Sequence, residues 1–228
     1  MKTPSPISVG IVLFEGVTQL DLTGPYEVFA RMPNTTVHLL AATAKPVRTE
    51  WGLTIAPTAG FDDAPRLDVL CVPGGWGVDA QLEDARLLQF LRDRAPEARY
   101  VTSVCSGALL LGAAGLLRGY RATTHWLSLD LLPFFGAVPV DERVVRDRNR
   151  ITGGGVTAGI DFALVVAAEL FDAATAQAIQ LAIEYRPAPP FESGSPSSAP
   201  REVVDTVSRS SAARLSKRRA IVERIATS

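Results

Sequence analysis

Five short runs of β-branched and aliphatic residues recur along the chain with helical patterns between them. This alternation restricts the fold more than any other feature. The runs are ISVGIVL (7–13), TTVHLLAA (35–42), LDVLCVP (67–73), YVTSV (100–104) and RATTHW (121–126). Their apolar residues are nearly continuous rather than alternating, as expected of strands buried on both faces. Strands separated by helices predict a mostly parallel sheet covered by helices on both sides.

The helical patterns fall over Pro25–Met32, Asp79–Ala95, 106–117, Ala158–Phe171 and Asp172 to about Tyr185. Pro25 is placed in a first turn, where its missing N–H costs nothing. Asp172 is read as a cap for the fifth helix. Segments 45–58 and 138–154 alternate polar and apolar residues around turn residues, which predicts antiparallel hairpins or edge strands. With 228 residues and 47% hydrophobic content, the chain can bury one sizeable core. The expected organisation is an α/β domain over 1–186. A Pro/Ser-rich connector and an amphipathic helix follow over 187–228, docked on the domain or on a second subunit, with the helix running from about Arg201 to Ala226.

A net charge of −1 gives no electrostatic reason to expect nucleic acid or an anionic membrane as partner. The basic stretch SKRR (216–219) is read as a solvated helix face. Roughly 40 residues after the core are too few for a two-helix-turn-helix DNA-binding module. The N-terminal MKTPSPISVGIVLFEG is a poor secretory signal, and the longest apolar stretch, 104–117, is too short to span a bilayer. With only Cys71 and Cys105, a disulfide framework is not expected and a reducing, cytoplasmic setting is.

Cys105 lies where the strand YVTSV gives way to a helix. Helix-start N–H groups and the helix dipole favour a negative charge there and lower a thiol's pKa. A buried cysteine also packs as a small hydrophobe, and the local pattern leaves both readings open. Cys71, mid-strand, is assigned to the core. PGGWG (73–77) brings glycines to a strand end, where the Gly75 amide could face an anion, although an ordinary tight turn fits equally. Its spacing matches no nucleotide-binding loop. Asp21 follows the first strand, and locally it reads as turn or cap chemistry. Asp21, Gly75 and Cys105 all fall at strand ends, where ligands bind in open α/β sheets. His125 ends RATTHW and is either a base for Cys105 or structural, while His38 is not catalytic. Trp76, Trp126 and Phe191 are candidates for a pocket wall or for core and interface. No metal-ligand spacing is present.

The string VTSVCSGALLLGAAGLLRGYRATTHW, with DVLCVPGG and LFEGVTQLDLTGPYEVFA before it, resembles the ThiJ/PfpI superfamily. TAGIDFALVVAAELFDAATAQ and EYRPAPPF are similar to the isocyanide hydratases within it. The resemblance, covering the chain to about residue 185, implies a flavodoxin-like three-layer sandwich, a homodimer, and Cys105 as nucleophile on a strand-to-helix elbow. It also implies Asp21 in the place where many members carry a glutamate. Ser106 stands where the peptidase-like branch has histidine, which argues against a peptidase, and Asp21 argues against glyoxalase- or deglycase-like activity. The implied reaction is hydration of an isocyanide to an N-substituted formamide through a cysteine thioimidate. Cys105 attacks and Asp21 passes protons; Ser106 orients and, with Gly75, stabilises charge through backbone amides. It calls for no metal and no organic cofactor. The competing reading is a cysteine-based redox sensor, a chaperone-like protein or a glyoxalase/deglycase-type member of the same superfamily.

Overall fold

The computed structural model describes residues 6–227. In chain order its elements begin with β1 (Ile7–Val12), α1 (Gln19–Phe29), β2 (Thr35–Ala41), β3 (Val47–Arg48), β4 (Thr54–Ile55), β5 (Ala59–Gly60) and β6 (Val69–Val72). Next come α2 (Val78–Gln81), α3 (Ala85–Arg94), β7 (Tyr100–Val104), α4 (Gly107–Ala113), β8 (Arg121–Ala122) and a 3₁₀ segment (Trp126–Phe135). The rest are β9 (Val138–Pro139), β10 (Val144–Asp147), β11 (Arg150–Gly153), α5 (Ala158–Leu170), α6 (Ala173–Ala182) and α7 (Arg201–Ala226).

Seven strands form one sheet in the order β10-β11-β7-β6-β1-β2-β5. Only the β10–β11 pair is antiparallel; β1 runs parallel to both β2 and β6, with Val9 facing Val37 and Val69. All four residues of β6 are buried, as its unbroken apolar run requires. Helices α1, α5 and α6 pack as one group, and α2, α3, α4 and α7 as another. The chain leaves β1 for β2 on one side and reaches β6 on the other. The ends of β1 and β6 therefore flank a topological switch point, where an open α/β sheet leaves a crevice.

Helix starts follow local chemistry. Asp84 Oδ1 accepts from the amides of Arg86 and Leu87, so the single helix expected over 79–95 divides into α2 and α3 at this cap. Asp172 caps α6 through the Thr175 amide at 2.7 Å, as expected. Helix α1 starts at Gln19, which places Pro25 in its interior instead of its first turn. The bond lost there is set against packing on α5. Gly159 admits Pro25 Cδ to 3.0 Å of where a Cβ would stand, and the Phe29 and Phe162 rings meet edge-on at 6.1 Å. Each of these phenylalanines, fully buried, contributes about 1.5–3 kcal/mol.

RATTHW departs most from expectation. Only Arg121–Ala122 is extended, pairing with β9 outside the central sheet, and β11 takes the place beside β7. Threonine hydroxyls redirect this stretch: the Thr123 amide donates to Thr152 Oγ1 and the Thr124 hydroxyl to the Cys105 carbonyl. Segment 45–58 does hold a hairpin, β3–β4. Helix α7 docks through Val222, fully buried, with Ile221 and Ile225 against the core. Ion pairs Arg219–Asp130 and Arg224–Glu83 flank the contact.

Candidate active site

Cys105 is the first residue after β7 and has φ +54, a left-handed conformation that costs a non-glycine residue roughly 1–3 kcal/mol. Its surroundings enforce the bend. The Cys105 amide donates to the carbonyls of Gly154 (2.8 Å) and Gly153 (3.1 Å), and its carbonyl accepts from Thr124 Oγ1 at 2.7 Å. Gly107 brings the start of α4 against the end of β6, since a Cβ there would lie 2.1 Å from the Val72 carbonyl oxygen. Cys105 thus makes the tight bend between β7 and α4.

Asp21 lies in the first turn of α1 and is fully buried. Its Oδ2 accepts from the Gly74 amide at 2.9 Å, and its Oδ1 has no hydrogen-bond partner among the described residues. Its carboxyl is close enough to the Cys105 thiol for each group to shift the other's titration. The PGGWG loop is held to the approach to α1 by Thr18 N to Gly74 O and by an antiparallel bridge between Val17 and Gly75. Gly74 is required for closeness: a Cβ would stand 2.5 Å from Ser106 N and 3.0 Å from Asp21 Oδ2.

Burial raises the Asp21 pKa from 3.8 to about 7, opposed by the Gly74 amide and the Cys105 thiol. Burial, then the Asp21 charge, push the Cys105 thiol well above its ordinary value, opposed by the Ser106 amide and the Arg218 charge. This corrects the expectation of a depressed thiol pKa. Helix α4 has only seven residues, and its amides do not outweigh the loss of solvent. For an interacting pair the titration steps belong to the pair. The carboxyl is the group of the pair that ionises more readily, while the thiol holds its proton. The Gly74 amide favours charge on oxygen and the Ser106 amide favours charge on sulfur.

The Gly75 amide does not face the sulfur as expected; it donates to Ser106 Oγ at 3.1 Å. Gly75 has φ +134, and a Cβ would lie 2.5 Å from Gly16 O, so it is a turn glycine whose N–H is already used. The Ser106 amide is one of the groups that lower the Cys105 pKa, and its hydroxyl is committed to Gly75. The Gly74 amide, overlooked in the sequence, is the one that holds Asp21.

Cys105 opens onto a cavity of about 240 Å³, whose wall includes Glu50, Trp76, Ser106, His125, Arg214 and Arg218. Trp76 and His125 thus stand where expected. His125 Nδ1 accepts from the Leu127 amide at 3.3 Å, and burial with the Arg218 charge lowers its pKa, so the imidazole is neutral. Among the described residues no hydrogen bond joins it to Cys105, which removes the Cys–His pairing. Trp126 lies outside this wall. As the first residue of the 3₁₀ segment it lines a neighbouring cleft against Val203 and Val207 of α7. Phe191 is exposed in the connector. Arg218, read as part of a solvated face, is 6% exposed. Among the described residues no cluster of three or more His, Cys, Asp or Glu is placed to hold a metal ion. No helix among them is long and apolar enough to cross a membrane.

A parallel sheet with a buried Cys–Asp pair at its switch point defines a class, and the sequence model of the DJ-1/PfpI family matches residues 7–169: the chain belongs to this family. The isonitrile hydratase of Pseudomonas putida is 56% identical over 220 residues, 96% of each chain. A crystal structure of a ThiJ/PfpI family protein from Pseudomonas syringae superposes with a TM-score of 0.94 at 45% identity, covering 96% of this chain and 92% of that one. The HTH-type transcriptional regulator GbdR of Pseudomonas aeruginosa is 34% identical over 169 residues, 70% of this chain but 46% of the regulator.

Proposed function

We propose that this protein is an isonitrile hydratase, a hydro-lyase adding water to R–N≡C to give R–NH–CHO. The observation that carries the reading is the buried Asp21–Cys105 pair, two acids whose titrations are coupled, beside a cavity of about 240 Å³. Near-full-length similarity to the Pseudomonas putida isonitrile hydratase supports it.

In the reactive tautomer the proton is on Asp21 and the charge on sulfur. The Cys105 thiolate adds to the terminal isocyanide carbon and Asp21 gives its proton to that carbon, forming the thioimidate R–N=CH–S. The Asp21 carboxylate then takes a proton from water as the hydroxide attacks the same carbon, and passes it to nitrogen. Collapse of R–NH–CH(OH)–S returns the hydroxyl proton to Asp21 and expels the thiolate, releasing the formamide and restoring the starting state. The Ser106 amide stabilises the sulfur anion that starts and ends the cycle. The Gly74 amide stabilises the carboxylate that exists between.

A homodimer in a reducing cytoplasm completes the reading. Exposed apolar side chains such as Trp51, Leu53 and Leu181 support the first, and two free thiols the second. The test is an assay of purified protein with a simple aliphatic isocyanide. Formamide production that disappears in Cys105→Ala is expected, and undiminished production in that variant refutes the assignment.

A further inference from the structure

Helix α7 places Arg218 in an unusual position. Its neighbour Lys217 is exposed and Arg219 half-buried, yet Arg218 reaches inward and is nearly fully buried. Nε donates to Asp79 Oδ1 at 2.5 Å, Nη1 to Ser128 Oγ at 3.2 Å and Nη2 to the Gly75 carbonyl at 3.4 Å. These partners come from α2, the 3₁₀ segment and the PGGWG loop. Gly75 in turn donates its amide to Ser106 Oγ, and Ser106 directly follows Cys105 in the chain. A chain of three hydrogen-bonded groups, Arg218, Gly75 and Ser106, thus runs from α7 to the residue next to the thiol. Arg218 also forms part of the cavity wall beside Cys105.

Docking alone does not call for this arrangement. Val222, Ile221 and Ile225 already seat α7 on the core. A buried ion pair is often no more stabilising than well-packed apolar residues of similar volume. A guanidinium whose nitrogens are spent on a helix, a 3₁₀ segment and a loop instead fixes these elements relative to one another.

We propose that Arg218 is a positioning residue for isocyanide hydration: anchored by Asp79 and Ser128, it holds the Gly75 peptide against Ser106 and keeps one positive charge beside the reacting sulfur. The proposal rests on the reading of Cys105 and Asp21 given above. Charged or titratable groups facing the pair are Glu50 from the β3–β4 hairpin, Cys71 from β6, His125 ahead of the 3₁₀ segment, and Arg214 and Arg218 from α7. Asp79 of α2 stands behind Arg218. Arg214 lies over the Trp76 ring at 3.9 Å and takes no part in the chain to Ser106.

The experiment compares wild type with Arg218→Met and Arg218→Lys. It follows kcat and KM for an aliphatic isocyanide across pH, the pH dependence of iodoacetamide labelling at Cys105, and urea unfolding. Arg218→Met is expected to lower kcat by roughly 10- to 100-fold, the scale of a small misplacement of reacting groups, with little change in KM. The midpoints of both pH profiles move upward, because a positive charge near the anion is lost. Arg218→Lys restores the midpoints but only part of kcat, since an ammonium cannot span three acceptors with the same fork. A docking role alone predicts that Arg218→Met loses stability while kcat of the folded enzyme and both midpoints stay at wild-type values, and that result overturns the proposal. If wild type hydrates no isocyanide, the reading of the site falls instead, and the labelling profiles still decide whether Arg218 acts on the sulfur.

Discussion

Asp21→Asn should make the protein more stable at pH 8 while destroying its activity. The carboxyl moves from an ordinary value of 3.8 to about 7 in the folded chain. Below 3.8 folded and unfolded chains are both protonated and nothing is lost. Between the two values the unfolded chain releases a proton that the native site keeps, so stability falls as pH rises. Above 7 both forms are ionised and the full penalty stands. At about 1.36 kcal/mol per pH unit that penalty is on the order of 4 kcal/mol, a large part of a domain's stability of about 5–15 kcal/mol. Asparagine keeps an acceptor for the Gly74 amide and removes the charge. Urea unfolding of both proteins at pH 5 and pH 8 isolates the effect, because every other titrating group outside the pair is common to both. From pH 5 to 7 the advantage of Asp21→Asn should grow by about 2–3 kcal/mol, with the slope against urea unchanged. An advantage that is the same at both pH values, or a variant less stable at pH 8, refutes the reasoning that a buried carboxylate is tolerated for chemistry.

Other consequences are direct. Cys105→Ala should show no isocyanide hydration above background, whereas Cys71→Ser should retain most activity; burial pushes the Cys71 thiol up to about 12, which leaves it inert. Site-directed variants assayed for formamide release check both. Gly74→Ala puts a Cβ within 2.5 Å of Ser106 N, and overpacking of this kind costs about 1–3 kcal/mol. The shift it forces separates Asp21 from its amide, so activity should fall more than stability, as read by paired kinetics and unfolding. For the wild type, kcat/KM should rise with pH to a plateau through an apparent pKa near 7, since the pair must first lose one proton.

Strands β1, β2, β6 and β7 were readable because each is an apolar run that only a doubly covered sheet accommodates. Cys105 was readable as a position, at the change from strand to helix, but its pKa direction was not. Helix-terminal amides are visible in a sequence; complete burial beside a second acid is a tertiary property. Asp21 locally resembled a turn residue and gained its role from family resemblance. Gly74 and Gly75 are adjacent, and nothing in PGGWG distinguishes the one whose amide is free for Asp21 from the one that serves Ser106. Arg218 sits in a run of cations that ordinarily faces water, and only the docking of α7 turns one of them inward. In RATTHW, β propensity lost to the bonds that the Thr123 amide makes to Thr152 of β11 and the Thr124 hydroxyl makes to the Cys105 carbonyl.

The proposed reaction turns on a proton exchanged between Asp21 and Cys105, and iodoacetamide labelling of Cys105 as a function of pH tests that exchange most directly. In wild type the labelling rate should rise to a first plateau through a midpoint near 7, and in Asp21→Asn that step should vanish because the thiol then titrates alone. A step near 7 that persists without the carboxyl, or a wild-type profile that rises only in the alkaline range of an isolated buried thiol, contradicts the account.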